Sequence, residues 1–344
     1  MKKWQVATLT VIVMLMFSTG MSFGATTWRV CFNTMVFQGN WYGKIFEEWA
    51  KEIDSRTKGE LKIQIYWPGQ LPYKGFEILA TIKDRLVDAA ECNTSYYGTT
   101  EPLMDEDFKR FQFDEIPWFE KAAKQVIPKY YKPIFDKYNV MPIAQFLSGG
   151  GEAFFVNKPI RKVSDAKGLK VRVYSKSLAN MVMAWGANPV TIPVVELYTA
   201  LQRGVVDGAT TSFMTGADAK FWEVLKYVTL TNHNVGGYNT IITNKATWNA
   251  LPDNIKKIVT EVSDKYAGQV WKQAPQVTKE LMEDFRKHGV QILNLDPGER
   301  EKMRAMAAAQ WKDWLDRTGP TGVAMLREIE KLGDVKWPIL KDYK

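Results

Sequence analysis

Histidine is nearly absent from this chain: 344 residues hold only His233 and His288, and neither stands at metal-ligand spacing from another donor. That leaves no ordinary histidine-based metal centre. Walker loops, dinucleotide fingerprints and GxSxG elbows are missing as well. The one glycine run, Gly149-Gly150-Gly151, has no Lys and no helical pattern after it, so it is no phosphate cradle. Paired carboxylates at Glu47-Glu48, Asp105-Asp107 and Glu299-Glu301 lie in charged helical or loop settings and read as solvated. The sequence therefore predicts no enzyme, no cofactor and no bound metal.

Cysteine is equally scarce. Cys31 and Cys92 are the only two, and they fall in apparent neighbouring strands, where disulfide geometry is rarely right. An oxidising compartment permits a Cys31–Cys92 bridge, but free thiols are the expectation. No basic tract exists either. The net charge of +8 is spread among 46 Lys and Arg and 38 Asp and Glu, which excludes a nucleic-acid stripe and leaves weak steering of anions.

Long apolar runs are limited to one. Val6 to Phe17 comes after Lys2 and Lys3 and precedes Ser22-Phe23-Gly24-Ala25. It is shorter than the ~20 residues a spanning helix needs, and Ser18-Thr19-Gly20 ends it. A positive start, an apolar middle and small residues at the end predict a signal peptide over residues 1–25 and export to the periplasm. The remaining chain of about 320 residues is large for one core and suggests two lobes.

Strand and helix patterns alternate along it. Trp28 to Phe32, Leu61 to Tyr66 and Val87 to Glu91 read as strands around helices at Asn40 to Ser55 and Phe76 to Arg85. The pattern restarts with strands at Val140 to Phe146, Ala153 to Val156, Leu169 to Tyr174 and Asp207 to Thr210. Helices are predicted at Ser177 to Trp185 and Val195 to Arg203. Such alternation implies parallel sheets flanked by helices. Ser148 to Glu152, "SGGGE", is the best crossover between lobes. Pro252 to His288 carries apolar residues at helical spacing and would run about 55 Å if unbroken. Pro275 leaves open whether it is one helix or two.

An ordered set of segments then stands out: "GELKIQIYWPGQL", "DAKGLKVRVYSKS", "WGANPV", "VELYTALQRGVVDGA", "FWEVLKYVTLTNH" and "WNALPDNIKKIV". With these the chain resembles the extracytoplasmic solute-binding proteins of TRAP transporters, the DctP type, over nearly the whole mature length. The resemblance implies an α/β fold, a two-lobed clamp of the type II-like periplasmic-binding-protein kind. Each lobe is a sheet flanked by helices, and a long helix spans both. It places residues 26–149 and 238–278 in an N-terminal lobe and 150–237 and 279–344 in a C-terminal one. It implies a monomer that closes on a small organic acid and hands it to TRAP membrane subunits. The lobe architecture alone also allows service to an ABC-type permease or a sensor kinase.

The resemblance assigns the ligand carboxylate to Arg172, in the alternating strand "KGLKVRVY". A guanidinium offers two parallel donors that match two carboxylate oxygens. Thr211 stands where relatives carry a supporting Asn. Thr34, Tyr73 and Asn93 border the expected cleft, as do Asn33, Met35 and Val194. Glu152 departs from sialic-acid-binding relatives, which place a second basic residue there. It would pair with Arg172 or with a ligand ammonium, the latter meaning an amino acid; a plain monocarboxylate is the other expectation. Of thirteen tryptophans only Trp4 lies in the leader. Tyr73, Tyr96, Tyr97, Trp118, Phe154, Tyr174 and Phe213 fall near cleft loops, and such rings would stack on an aromatic amino acid, 2-oxo acid or acetic acid.

Overall fold

The computed structural model describes residues 25–343, so the expected signal segment lies outside the described residues except for Ala25. The first lobe begins with strand β1 (Thr26–Cys31), helix α1 (Trp41–Arg56), β2 (Leu61–Tyr66), α2 (Ile78–Lys83) and β3 (Ala89–Asn93). Helices α3 (Ile116–Gln125) and α4 (Ile127–Lys137) and strand β4 (Val140–Ser148) complete this stretch. After the three glycines come β5 (Glu152–Val156), β6 (Lys170–Val173), α5 (Lys176–Ala184), β7 (Asn188–Thr191) and α6 (Val194–Gln202). Next are β8 (Gly208–Ser212), α7 (Phe213–Asp218), β9 (Tyr227–Leu230), β10 (Gly237–Asn244) and α8 (Lys245–Asn249). The chain closes with α9 (Asp253–Lys287), β11 (Gln291–Asn294) and α10 (Glu299–Glu330), the last kinked at Gly319-Pro320.

Two mixed sheets result. The first has the order β2-β1-β3-β10-β4 and the second β11-β9-β5-β8-β6-β7. Parallel pairing holds for β1 with β2 and β3, and for β6 with β7 and β8. The expectation of purely parallel sheets needs correcting, because β10 runs antiparallel to β3 and β4, and β5 to β8 and β9. Both strands enter their sheet from the other lobe instead of through a helical crossover. Nothing then forces the parallel sense.

Local chemistry sets the elements. Asn40 caps α1 by accepting the Gly43 N–H at 2.7 Å, and Tyr42, Ile45, Phe46, Trp49 and Ile53 form its buried stripe. α9 is one helix of 35 residues despite Pro275, so about 52 Å long. Its first half is tied to the first lobe, where Trp49 Nε1 donates to Ser263 Oγ and Trp271 Nε1 to the Gln145 carbonyl. Its last turns pack Phe285 against Phe155 and Phe213 of the second lobe. Near Pro275 the Thr278 hydroxyl lies 2.7 Å from the Gly150 carbonyl and 2.8 Å from that of Ala274, joining the helix to the glycine crossover. Gly149, Gly150 and Gly151 all take positive φ, a backbone that side chains resist.

Cys31 and Cys92 are buried and free. Dithiothreitol should therefore leave the unfolding temperature unchanged; a fall of more than about 2 °C would reveal a stabilising bridge.

Candidate functional site

Between the sheets lies a cavity of about 350 Å³, part of that space open to solvent. The carboxyl ends of strands meet there, as is usual for ligand sites in open α/β sheets. Thr34 and Met35 come after β1, Asn93 ends β3, Tyr174 comes after β6, and Thr211 and Ser212 end β8. Tyr96, Ser148, Gly149, Val194 and Thr215 complete the wall with Glu152 and Arg172.

Arg172 is the only cation in this lining, and its residue is 1% exposed. Strand alternation buries Val171 and Val173 on the opposite face and turns Arg172 inward. Its Nε donates to the Ile192 carbonyl at 2.9 Å, and its guanidinium lies 5.3 Å from the centre of the Tyr174 ring. Burial lowers its affinity for the proton, yet a guanidinium remains charged at neutral pH. No carboxylate forms an ion pair with it among the described residues. The Tyr96 ring faces Tyr174 from the other lobe, 5.8 Å away.

Glu152 is spoken for elsewhere. Its Oε2 accepts from Arg110 Nη1 at 3.2 Å and from His233 Nε2 at 3.0 Å, and its Oε1 accepts the Tyr174 hydroxyl. Neither partner expected from the sequence, Arg172 or a ligand ammonium, is needed to hold its charge.

A second buried carboxylate shapes the opposite wall. Glu91, 0% exposed, accepts the backbone N–H groups of Asn33 and Thr34, the Thr34 hydroxyl at 2.5 Å and the Asn239 amide at 2.8 Å. Burial raises its pKa against the pull of these donors. The loop carrying Thr34 and Met35 is thereby fixed.

Of the residues singled out from sequence, Arg172, Glu152, Thr211, Thr34, Asn93 and Tyr174 all line the cavity. Asn93 turns its Oδ1 back to the Ser95 N–H. Tyr73 and Phe213 do not reach it. Tyr73 packs against the first lobe's core, and Phe213 is buried among Phe155 and Phe285. Tyr97 and Phe154 are core residues, and Trp118 lines a separate surface groove, so two rings, Tyr96 and Tyr174, remain for a ligand to meet. Sequence reasoning missed Arg110, His233, Glu91, Ser148, Ser212 and Thr215. Only Glu91 left a signal, a lone acid inside the otherwise uncharged strand AAECN.

Comparison with known proteins finds relatives along most of the chain. The family described as bacterial extracellular solute-binding protein, family 7, matches residues 32–318. The sialic acid-binding periplasmic protein SiaP of Vibrio cholerae is 30% identical over 264 residues, 75% of this chain and 80% of that one. The TRAP periplasmic solute-binding protein of Desulfovibrio salexigens, solved with orotic acid, is 26% identical with a TM-score of 0.78, covering 89% and 97% of the two chains. DctP7 of Bordetella pertussis, an extracytoplasmic solute receptor binding pyroglutamic acid, shares 24% identity and a TM-score of 0.81 over 89% of this chain and 100% of its own.

Proposed function

This chain belongs to the bacterial extracellular solute-binding proteins of family 7, and on that premise we propose that its cleft binds a small monocarboxylate with an uncharged, hydrogen-bonding body. The acid is delivered to the membrane subunits of a TRAP transporter. Proteins of this family bind solutes and do not transform them, and among the described residues no helix is long and apolar enough to cross a membrane. Export through the N-terminal segment belongs to the same reading.

One observation carries it: Arg172 is a buried cation facing the cavity, and no ion pair to it is found among the described residues. Such a charge calls for an anion, and a carboxylate fits its fork. The Thr211 hydroxyl from the second lobe and the Asn93 amide from the first also line the cavity and would bond the rest of the ligand. The Glu152 oxygens accept three donors, which leaves them little hydrogen-bonding capacity for a ligand ammonium although the carboxylate stays ionised. The orotate- and pyroglutamate-binding neighbours take compact ring acids with one carboxylate and no ammonium, which supports this ligand class.

Thermal-shift screening tests the reading with pyroglutamate, orotate, phenylacetate, succinate and phenylalanine. At a hundredfold excess over Kd a true ligand should raise the unfolding temperature by about 5 °C. Neutral-bodied monocarboxylates should do so. Stabilisation by succinate alone or phenylalanine alone would refute the assignment.

A further inference from the structure

The cavity wall beside Arg172 carries a charged cluster that the anchoring of a carboxylate does not use. Glu152 at its centre draws Arg110 from 42 residues and His233 from 81 residues away. Both partners have fully buried side chains. Glu152 lines the cavity, whereas Arg110 and His233 do not. The cluster therefore turns a negative end toward the ligand and keeps its positive charge behind.

Its protonation is fixed by the same contacts. Burial alone would raise the Glu152 carboxyl, but His233 and Arg110 hold it well below the usual carboxylate range. Burial pushes His233 below the usual imidazole range, so the ring is neutral at ordinary pH. An ionised carboxylate only accepts, so the single ring N–H sits on Nε2. His233 Nδ1 then accepts from the Thr231 hydroxyl, 2.6 Å away.

We propose that Glu152, backed by Arg110 and His233, sets charge selectivity in this cleft by admitting one carboxylate at Arg172 and repelling a second. The inference rests on the carboxylate-receptor reading above. A dicarboxylate whose other end approaches Glu152 meets that carboxylate before the Arg110 charge behind it, in a site where water screens poorly. Glu152→Gln keeps the shape and an acceptor for Tyr174 while removing one negative charge.

The test is titration calorimetry of the full chain with two acids of one skeleton, glutarate and its half-amide 5-amino-5-oxopentanoate. Wild-type protein should bind the half-amide at least tenfold more tightly, and Glu152→Gln should narrow that ratio at least tenfold. A merely structural role would weaken both acids together and leave the ratio alone. A folded variant with an unchanged ratio overturns the selectivity role and spares the receptor reading. Wild-type protein that binds neither acid overturns both. Should the single exchange fail to fold, the double exchange Arg110→Gln with Glu152→Gln removes both buried charges and should narrow the ratio in the same direction by a smaller factor.

Discussion

Arg172→Ala should raise the Kd for the carboxylate ligand by two orders of magnitude or more while the unliganded protein unfolds almost as before. The affinity side comes from two charged hydrogen bonds at about 1.5–3 kcal/mol each, hence roughly 10²- to 10⁴-fold. The stability side comes from the partner Arg172 lacks: it is 1% exposed and makes no ion pair among the described residues. Its removal recovers the cost of a buried charge and gives up the hydrogen bonds to Ile192 and Tyr96, the pull of Glu152 and some packing against Tyr174. These opposing changes should cancel to within about 1 kcal/mol. Arg172→Lys keeps the charge but loses the fork, so its affinity should fall between the two. Calorimetry and urea unfolding read both sides. A Kd within threefold of wild type would remove Arg172 from the site.

Elements whose pattern is local were legible in the sequence, and those set by distant contacts were not. The strand Leu61–Tyr66 and the helix Asp253–Lys287 match expectation closely, because alternation and helical spacing are written in consecutive residues. β7, β9 and β11 have four residues each, too few for a period to show. β10 was missed although all eight of its residues are buried, since burial on both faces erases alternation. The site divides in the same way. Arg172, Thr211 and Asn93 sit at strand positions that a family resemblance can locate. Arg110 lies in an irregular stretch before α3, and His233 lies between β9 and β10. Neither periodicity nor spacing pointed to their meeting at Glu152. Tyr73 and Phe213 show the converse. Proximity to a cleft loop in sequence says nothing about which way a ring turns, and core packing claimed both.

Ligand affinity should weaken by about tenfold between pH 5.5 and pH 8, and Asp218→Asn should abolish most of that slope. Asn40, the cap of α1 on the first lobe, donates through Nδ2 to Asp218 Oδ2 at the end of α7 on the second, 2.7 Å away. The same amide reaches the Met35 carbonyl at 2.9 Å, so this contact joins the cavity wall to the opposite lobe. Lys74 and Glu196 also meet across the gap at 2.9 Å, but both are about half exposed and such a pair contributes little. Asp218 has no cation among the described residues to offset its burial, which pushes its pKa up to about 7 against the pull of the Asn40 bond. When the lobes part, it should return toward the ordinary ~3.9. Closure thus takes up a proton between those values. The closed form is unpenalised below pH ~4, loses ground as pH rises toward 7, and is flat above. The full shift would exceed tenfold over the range; partial exposure of Asp218 trims it. A ligand carboxylate stays ionised above pH 5.5 and adds no slope of its own. Asparagine at this position keeps an acceptor for Asn40 and cannot ionise. Calorimetry at four pH values on both proteins decides the matter: a flat wild-type profile, or equal slopes in the two, would show that Asp218 plays no part in shutting the cleft.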